Sequence, residues 1–421
     1  GTGGAGGKGG SGGATTGTGG ATTGTGGATT GTGGATTGSG GTTTGTVVAT
    51  TGTGGATTGT GGATTGSGGT GGKGGTGGAG GKGGSGGTGG SSKDAGTGTD
   101  AGSDASPPPP PPPGDAGTDW LRTSGNHIYR GSSVFHGRGA NLHDTRSCNA
   151  CAFSSANVAE VLRRADELVD GWKANFIRLD LESYGSAGGR VQWQGVLDDA
   201  AYRADIQTIV NHISSKGAYT LLSLWIEPTA TANEVPTAAT NEVWKKLADM
   251  FKNEPRVLYG IVNEPHNDTD ANVWNGMNAA VAAIREVESQ AGTPQHVIAV
   301  QGTQQWARVL DYYLTHPITA GGGTNIAYET HIYDPASQFA KLFENPSKTL
   351  PVIIGEFGEQ DADELMNRAE AADVSYLAWA FHQRCPPNLI VDSTGSGCGI
   401  NMPLTPTGFG QKLKTRLSNF W

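Results

Sequence analysis

Beyond Trp120 the chain alternates short apolar runs with segments of helical periodicity. Eight runs are separated in this way: Phe135–Leu142, Phe176–Leu181, Tyr219–Trp225, Val257–Glu264, His296–Thr303, Ile326–Tyr333, Pro351–Gly358 and Ser375–His382. Between the first two, Val158, Val161, Leu162, Ala165 and Leu168 share one face at i, i+3, i+4, i+7 spacing. Between the fourth and fifth, Val273, Met277, Val281, Ile284 and Val287 align in the same way over Asn272 to Gln290. The runs are continuous rather than alternating, as parallel strands covered on both faces require. Eight such strands interleaved with helices predict an α/β fold, a (β/α)8 TIM barrel over residues 120–421. A doubly wound open sheet is the alternative. It usually carries a glycine-rich first turn, and no G-x-G-x-x-G follows the first runs.

Before Trp120 this pattern is absent. Residues 1–106 are Gly, Thr, Ala and Ser with few exceptions, and Val47 and Val48 are their only larger aliphatics. Such a segment cannot bury enough apolar surface to offset its ordering entropy, so it reads as a long disordered low-complexity tail. The unit Gly-Ala-Thr-Thr-Gly-Thr-Gly recurs from Gly13 with a period of seven. No position of it is apolar, which excludes a coiled coil and leaves nothing to stack as a solenoid. A flexible spacer, open to O-glycosylation, is the expectation. Pro107 to Pro113 follow, and residues 107–119 read as a polyproline linker, a stiff rod of roughly 20 Å at roughly 3.1 Å per residue.

Charge narrows the partners. Of the net charge of −9, residues 1–119 account for −1, leaving a mildly acidic domain that argues against nucleic acid or an anionic membrane. No run is long and apolar enough for a membrane span. Cys148, Cys151, Cys385 and Cys398 allow three pairings, and in an exported chain they would form two disulfides. Their spacing repeats no zinc ribbon or finger. The chain begins at Gly1 without Met and reads as processed or truncated.

The chemistry concentrates at run ends. Glu264 closes the fourth run in Asn263-Glu264-Pro265, and Glu356 closes the seventh in Gly355-Glu356-Phe357. A polar residue at that end of a barrel strand faces the active-site mouth. Two carboxylates flanking one bond are what glycosidic cleavage needs, about 5–5.5 Å apart if configuration is retained. At that range one of them keeps its proton and can act as acid. In the sixth run His331 and Tyr333 fall on one face. Arg178, inside the apolar second run, needs an acidic partner to be tolerated there. Trp379 offers a flat face for a sugar ring. Each has a plainer reading: a salt-bridged surface glutamate, a hydrogen-bonded structural pair, a core indole.

Taken in order, Asn263-Glu264-Pro265, His331-x-Tyr333 and Gly355-Glu356-Phe357 resemble the motifs of glycoside hydrolase family 5, the (β/α)8 β-glycanases that include many cellulases and mannanases. The resemblance covers about residues 125–415. It implies Glu264 as acid/base and Glu356 as nucleophile of a retaining double displacement. It implies Arg178, Asn263, His331, Tyr333 and Trp379 around the substrate. It implies no metal and no organic cofactor. One position departs: the family has a His near the end of strand three, where Trp225 stands here with Glu227 just beyond, and His143 after strand one is a candidate to stand in for it. The expected activity is hydrolysis within a β-linked polysaccharide, β-1,4-glucan first and β-mannan second, by an extracellular or cell-surface monomer. The alternatives are a carbohydrate-binding protein that no longer cuts, suggested by the departure at Trp225, and a surface-structural protein whose tail is the functional part.

Overall fold

A computed structural model describes residues 119–144, 157–181, 195–225, 235–383, 386–392 and 400–420, together with the main chain of six Thr-rich tail segments. The four cysteines, Trp193, Glu227 and the polyproline stretch lie outside the described residues. Two compact units divide at Asp104.

In the first unit the described segments, from Thr15–Thr18 to Thr57–Ser67, pair in parallel. Thr15 sits opposite Thr29, Thr29 opposite Thr43 and Thr43 opposite Thr57, so the register advances by two heptads at each step. The lack of anything to stack, argued above, concerned apolar side chains; this ladder is one of main-chain register between identical repeats.

In the second unit eight parallel strands close into a barrel: β1 (Arg138–His143), β2 (Phe176–Leu181), β3 (Tyr219–Leu224), β4 (Val257–Gly260), β5 (Ile298–Gln301), β6 (Ile326–Ile332), β7 (Val352–Phe357) and β8 (Ser375–Ala378). Closure is made by Arg138 opposite Tyr376. Seven strands fall within their predicted runs, and β1 runs one residue past its own, to His143. One further difference matters more. The fourth run was expected to be strand as far as Glu264, but β4 stops at Gly260. Ile261 still donates its N–H to the carbonyl of Ala299, at 3.2 Å, and the chain then leaves the ladder.

Helices cover the barrel where the periodicity placed them. Val158–Asp166 is capped by Asn157, whose side chain accepts from the N–H of Glu160, and it runs on into a π turn over Glu167–Gly171. Asp270–Ala291 starts at Thr269 and stops at Gly292, whose left-handed φ of 65° a side chain would resist. The outer core between strands and helices holds Trp172, Tyr202, Trp244, Tyr313 and Phe343.

The barrel interior is layered. At the end where the strands begin, Phe176, Leu221, Leu258, Ala299, Ala327 and Ile353 pack together. Leu121 and Ile128, from the antiparallel strands before β1, and Phe135, just after those strands, complete that cluster. Two residues further along the same strands the inward positions turn polar: Asn141, Arg178, Ser223, Gln301 and Glu329 are all fully buried.

Candidate active site

The polar layer is organised by one guanidinium. Arg178 donates from Nη1 to Asn141 Oδ1 (2.9 Å), Asp180 Oδ1 (3.0 Å) and Glu356 Oε1 (2.9 Å). From Nη2 it donates to Ser223 Oγ and Asn263 Oδ1, both at 2.9 Å. Its Nε lies 3.0 Å from Glu329 Oε1. A buried arginine survives only when every face of its charge is met, and here side chains from β1, β2, β3, β6, β7 and the segment after β4 meet it. The acids around it hold its proton more firmly than usual, against the opposing effect of burial.

Above this layer the two glutamates converge. Glu356, 3% exposed at the end of β7, also accepts from the hydroxyl of Tyr333 at 2.7 Å. Glu264 sits after β4 with a left-handed φ of 48°, a strained conformation for a side-chain-bearing residue. Its backbone N–H is held by Gln301 Oε1. His331 lies between the pair, with Nδ1 2.9 Å from Glu264 Oε1 and 3.5 Å from Glu356 Oε2. Reactive atoms of Glu264, His331 and Glu356 lie within 4.8 Å of one another. A divalent cation accepts similar spacing, but the Arg178 charge hydrogen-bonded to Glu356 opposes one, and the cluster reads as a place to hold protons.

The electrostatics agree with that reading. Burial raises the carboxyl of Glu356 above its ordinary value, His331 and Arg178 pull against this, and the charge of Glu264 adds to the rise. Burial works against a charge on His331, yet Glu356, Glu264 and Glu329 raise it to about 9. Burial likewise pushes the carboxyl of Asp180 well up, and Arg178 only partly offsets it. Glu329 goes the other way: despite burial, Arg178 and His331 hold it below the ordinary range.

Residues 136–384 match the sequence model of the cellulases, glycosyl hydrolase family 5. The chain belongs to glycosyl hydrolase family 5. Endoglucanase A of Butyrivibrio fibrisolvens is 28% identical over 225 residues, which are 50% of this chain and 46% of that protein. A mannan endo-1,4-beta-mannosidase of Streptomyces lividans is 26% identical over 199 residues, 45% of this chain and 48% of the relative. The chain thus spans about half the length of these curated relatives. Among solved structures, the catalytic domain of Thermobifida fusca endoglucanase Cel5A shares the fold with a TM-score of 0.56 at 18% identity, covering 72% of this chain and 100% of that one.

Within this family 5 barrel, the residues named from sequence come together at one mouth. Trp225 follows β3 directly and stacks on Trp379, with ring centres 5.6 Å apart and planes 18° from parallel. Tyr333 packs against the pair. His143 presents its ring edge-on to both indoles, at 5.8 and 5.2 Å, and to His382 at 5.1 Å. Burial, then the neighbouring His382, Arg164 and Arg178, hold His143 well below its ordinary value, so it is neutral at pH 7. Its Nδ1 stands 3.9 Å from Asp180. Trp274 donates to the carbonyl of Pro317, and Trp306, 41% exposed, stacks on His266.

Sequence reasoning missed Asn141, Asp180, Ser223, Gln301 and Glu329. A signal existed for two of them. Asp180 follows Arg178, and Glu329 precedes His331, by two residues, which is the spacing of one strand face, and each is a charge inside an otherwise apolar run. A cavity of about 860 Å³ near Arg130, Arg138, Lys173 and Arg256 lies by the strand beginnings, away from the glutamates. Arg130 and Arg256 there pair with Asp119, and Arg138 with Glu370. Among the described residues, no helix is long and apolar enough to cross a membrane.

Proposed function

We propose that the barrel hydrolyses internal bonds of a β-linked polysaccharide, with β-1,4-glucan the first candidate, by a retaining double displacement. The observation that carries this reading is the approach of Glu264 and Glu356 oxygens to within 4.8 Å, close to the separation at which one carboxylate attacks while the other donates a proton. Glu356, gripped by Arg178 and Tyr333, attacks the anomeric carbon. Glu264 protonates the departing oxygen and then takes a proton from the water that releases the glycosyl ester. Asn263, whose carbonyl oxygen is fixed by Arg178 at 2.9 Å, turns its amide toward the sugar 2-hydroxyl. Trp379 carries the pyranose face, and no metal or cofactor takes part.

The substrate follows from relatives named endoglucanase, with β-mannan second because one relative is named a mannosidase. The tail and polyproline stretch act as a spacer that holds the enzyme off the cell surface, outside the cell. Release of reducing ends from carboxymethyl-cellulose and galactomannan, assayed in parallel with Glu356→Ala, tests the reading. Release from one polymer that vanishes in the variant supports it. No release from these or other β-glycans, with sugar binding retained, favours a binding protein marked by the Trp225 departure. The anomer first formed, followed by proton NMR, tests retention. Residues 120–421 alone with full activity would support the spacer role.

A further inference from the structure

Glu329 has no part in the chemistry just described, yet the barrel makes a place for it. Its carboxylate is fully buried and touches both groups that contact the two glutamates: Arg178 Nε at 3.0 Å and His331 Nε2 at 3.2 Å. A Cβ on Gly355 would come within 1.9 Å of Glu329 Oε1, so β7 carries glycine where this carboxylate lies. Facing Glu329 are Arg178 from β2, Gln301 from β5, His331 from its own strand and Gly355 from β7. Glu356, Glu264 and Asp180 stand beyond them, and Tyr333 donates into Glu356.

We propose that Glu329 is a positioning residue of the site: by pairing with Arg178 Nε and His331 Nε2 it aims both groups at the glutamates and offsets one of their two positive charges. The inference rests on the hydrolytic reading above. The charges close around it. Burial pushes the carboxyl of Asp180 well up, while the surrounding acids hold the protons of Arg178 and His331, the latter up to about 9. Glu329 is held ionised. It thus sets one negative charge against the two cationic groups that contact Glu264 and Glu356. Nε2 of His331 also lies 3.2 Å from the amide nitrogen of Gln301, and Nδ1 is the nitrogen turned to Glu264.

Glu329→Gln keeps the shape and removes the charge. The cluster gains a positive charge, which disfavours a protonated carboxyl beside it. We expect kcat/KM on cellotetraose to fall by roughly 10- to 100-fold at pH 7, with its alkaline limb moved about one unit toward acid. On 2,4-dinitrophenyl β-cellobioside, whose leaving group departs without a proton, kcat/KM should change less than about threefold. Equal losses on both substrates with an unmoved limb would overturn the proposal and leave Glu329 as packing. If Glu329→Gln does not fold, the ring nitrogens of His331 in the unsubstituted protein decide, assigned with His331→Asn. A doubly protonated ring at pH 7.5 supports the charge count, and a neutral ring overturns it. If the unsubstituted protein turns over neither substrate, the hydrolytic reading falls and the ring titration still decides the charge count.

Discussion

The two ends of the barrel interior are built from the same strands, two residues apart, and are chemically opposite. Phe176, Leu221, Leu258, Ala299, Ala327 and Ile353 fill the end where the strands begin. One step along, Arg178, Ser223, Gln301 and Glu329 occupy the same inward column, with Gly260 and Gly355 making room. Apolar packing tolerates modest changes of shape, because its energy is spread over many small contacts. The polar layer does not, because each charge there is offset by one or two named partners and is expensive once they are lost. Substitutions should therefore separate stability from turnover according to the layer they touch.

The largest expected effect is in the polar layer. Glu356→Ala should lower kcat by roughly 10⁴-fold or more, with a melting temperature within a few degrees of the parent. Retained activity would remove it as nucleophile. Next is Arg178→Met, which strands Glu329 and Glu356 in the interior. It should lower unfolding free energy by about 3–5 kcal/mol in denaturant titrations and abolish turnover as well. Phe176→Ala, in the apolar layer, should lose stability by a similar margin, about 3–5 kcal/mol, yet keep kcat per folded molecule. If kcat collapsed too, the two layers would not be separable.

A smaller effect comes from pH. His331 holds its proton up to about 9, above its unfolded value, so its contribution to stability is complete below about 6.5 and is lost as pH rises through about 9. Thermal melts should show a loss on the order of 3 kcal/mol between pH 6.5 and 9.5, and His331→Asn should flatten it. A slope that survives the substitution would assign it to another group. The smallest change is at the rim. Trp225→His should break the stack on Trp379 and alter KM by about two- to fivefold, with a stability loss of about 1–2 kcal/mol because the indole is buried.

How much of this was legible depended on distance along the chain. The eight runs gave the strands because a strand covered on both faces must be apolar throughout, a local property. Glu264, Glu356, His331, Tyr333 and Arg178 were visible because charge and polarity inside such runs stand out against it. The end of β4 was not, since two more apolar residues, Ile261 and Val262, follow Gly260. Nor was the strained φ of Glu264, held by a Gln301 that lies 37 residues away. The role of Glu329 was equally hidden: its carboxylate meets Arg178 across the barrel, and that neighbour appears only when β6 and β2 close around one interior.

The amino-acid sequence by itself determined the barrel, its family and the pair of acids at its mouth, because each rests on patterns within a few residues or on motifs in fixed order. Only the tertiary structure decided which carboxylates keep charge and which keep protons. That depends on burial and on partners three ångströms away but scores of residues apart in the chain, distances that no local pattern encodes.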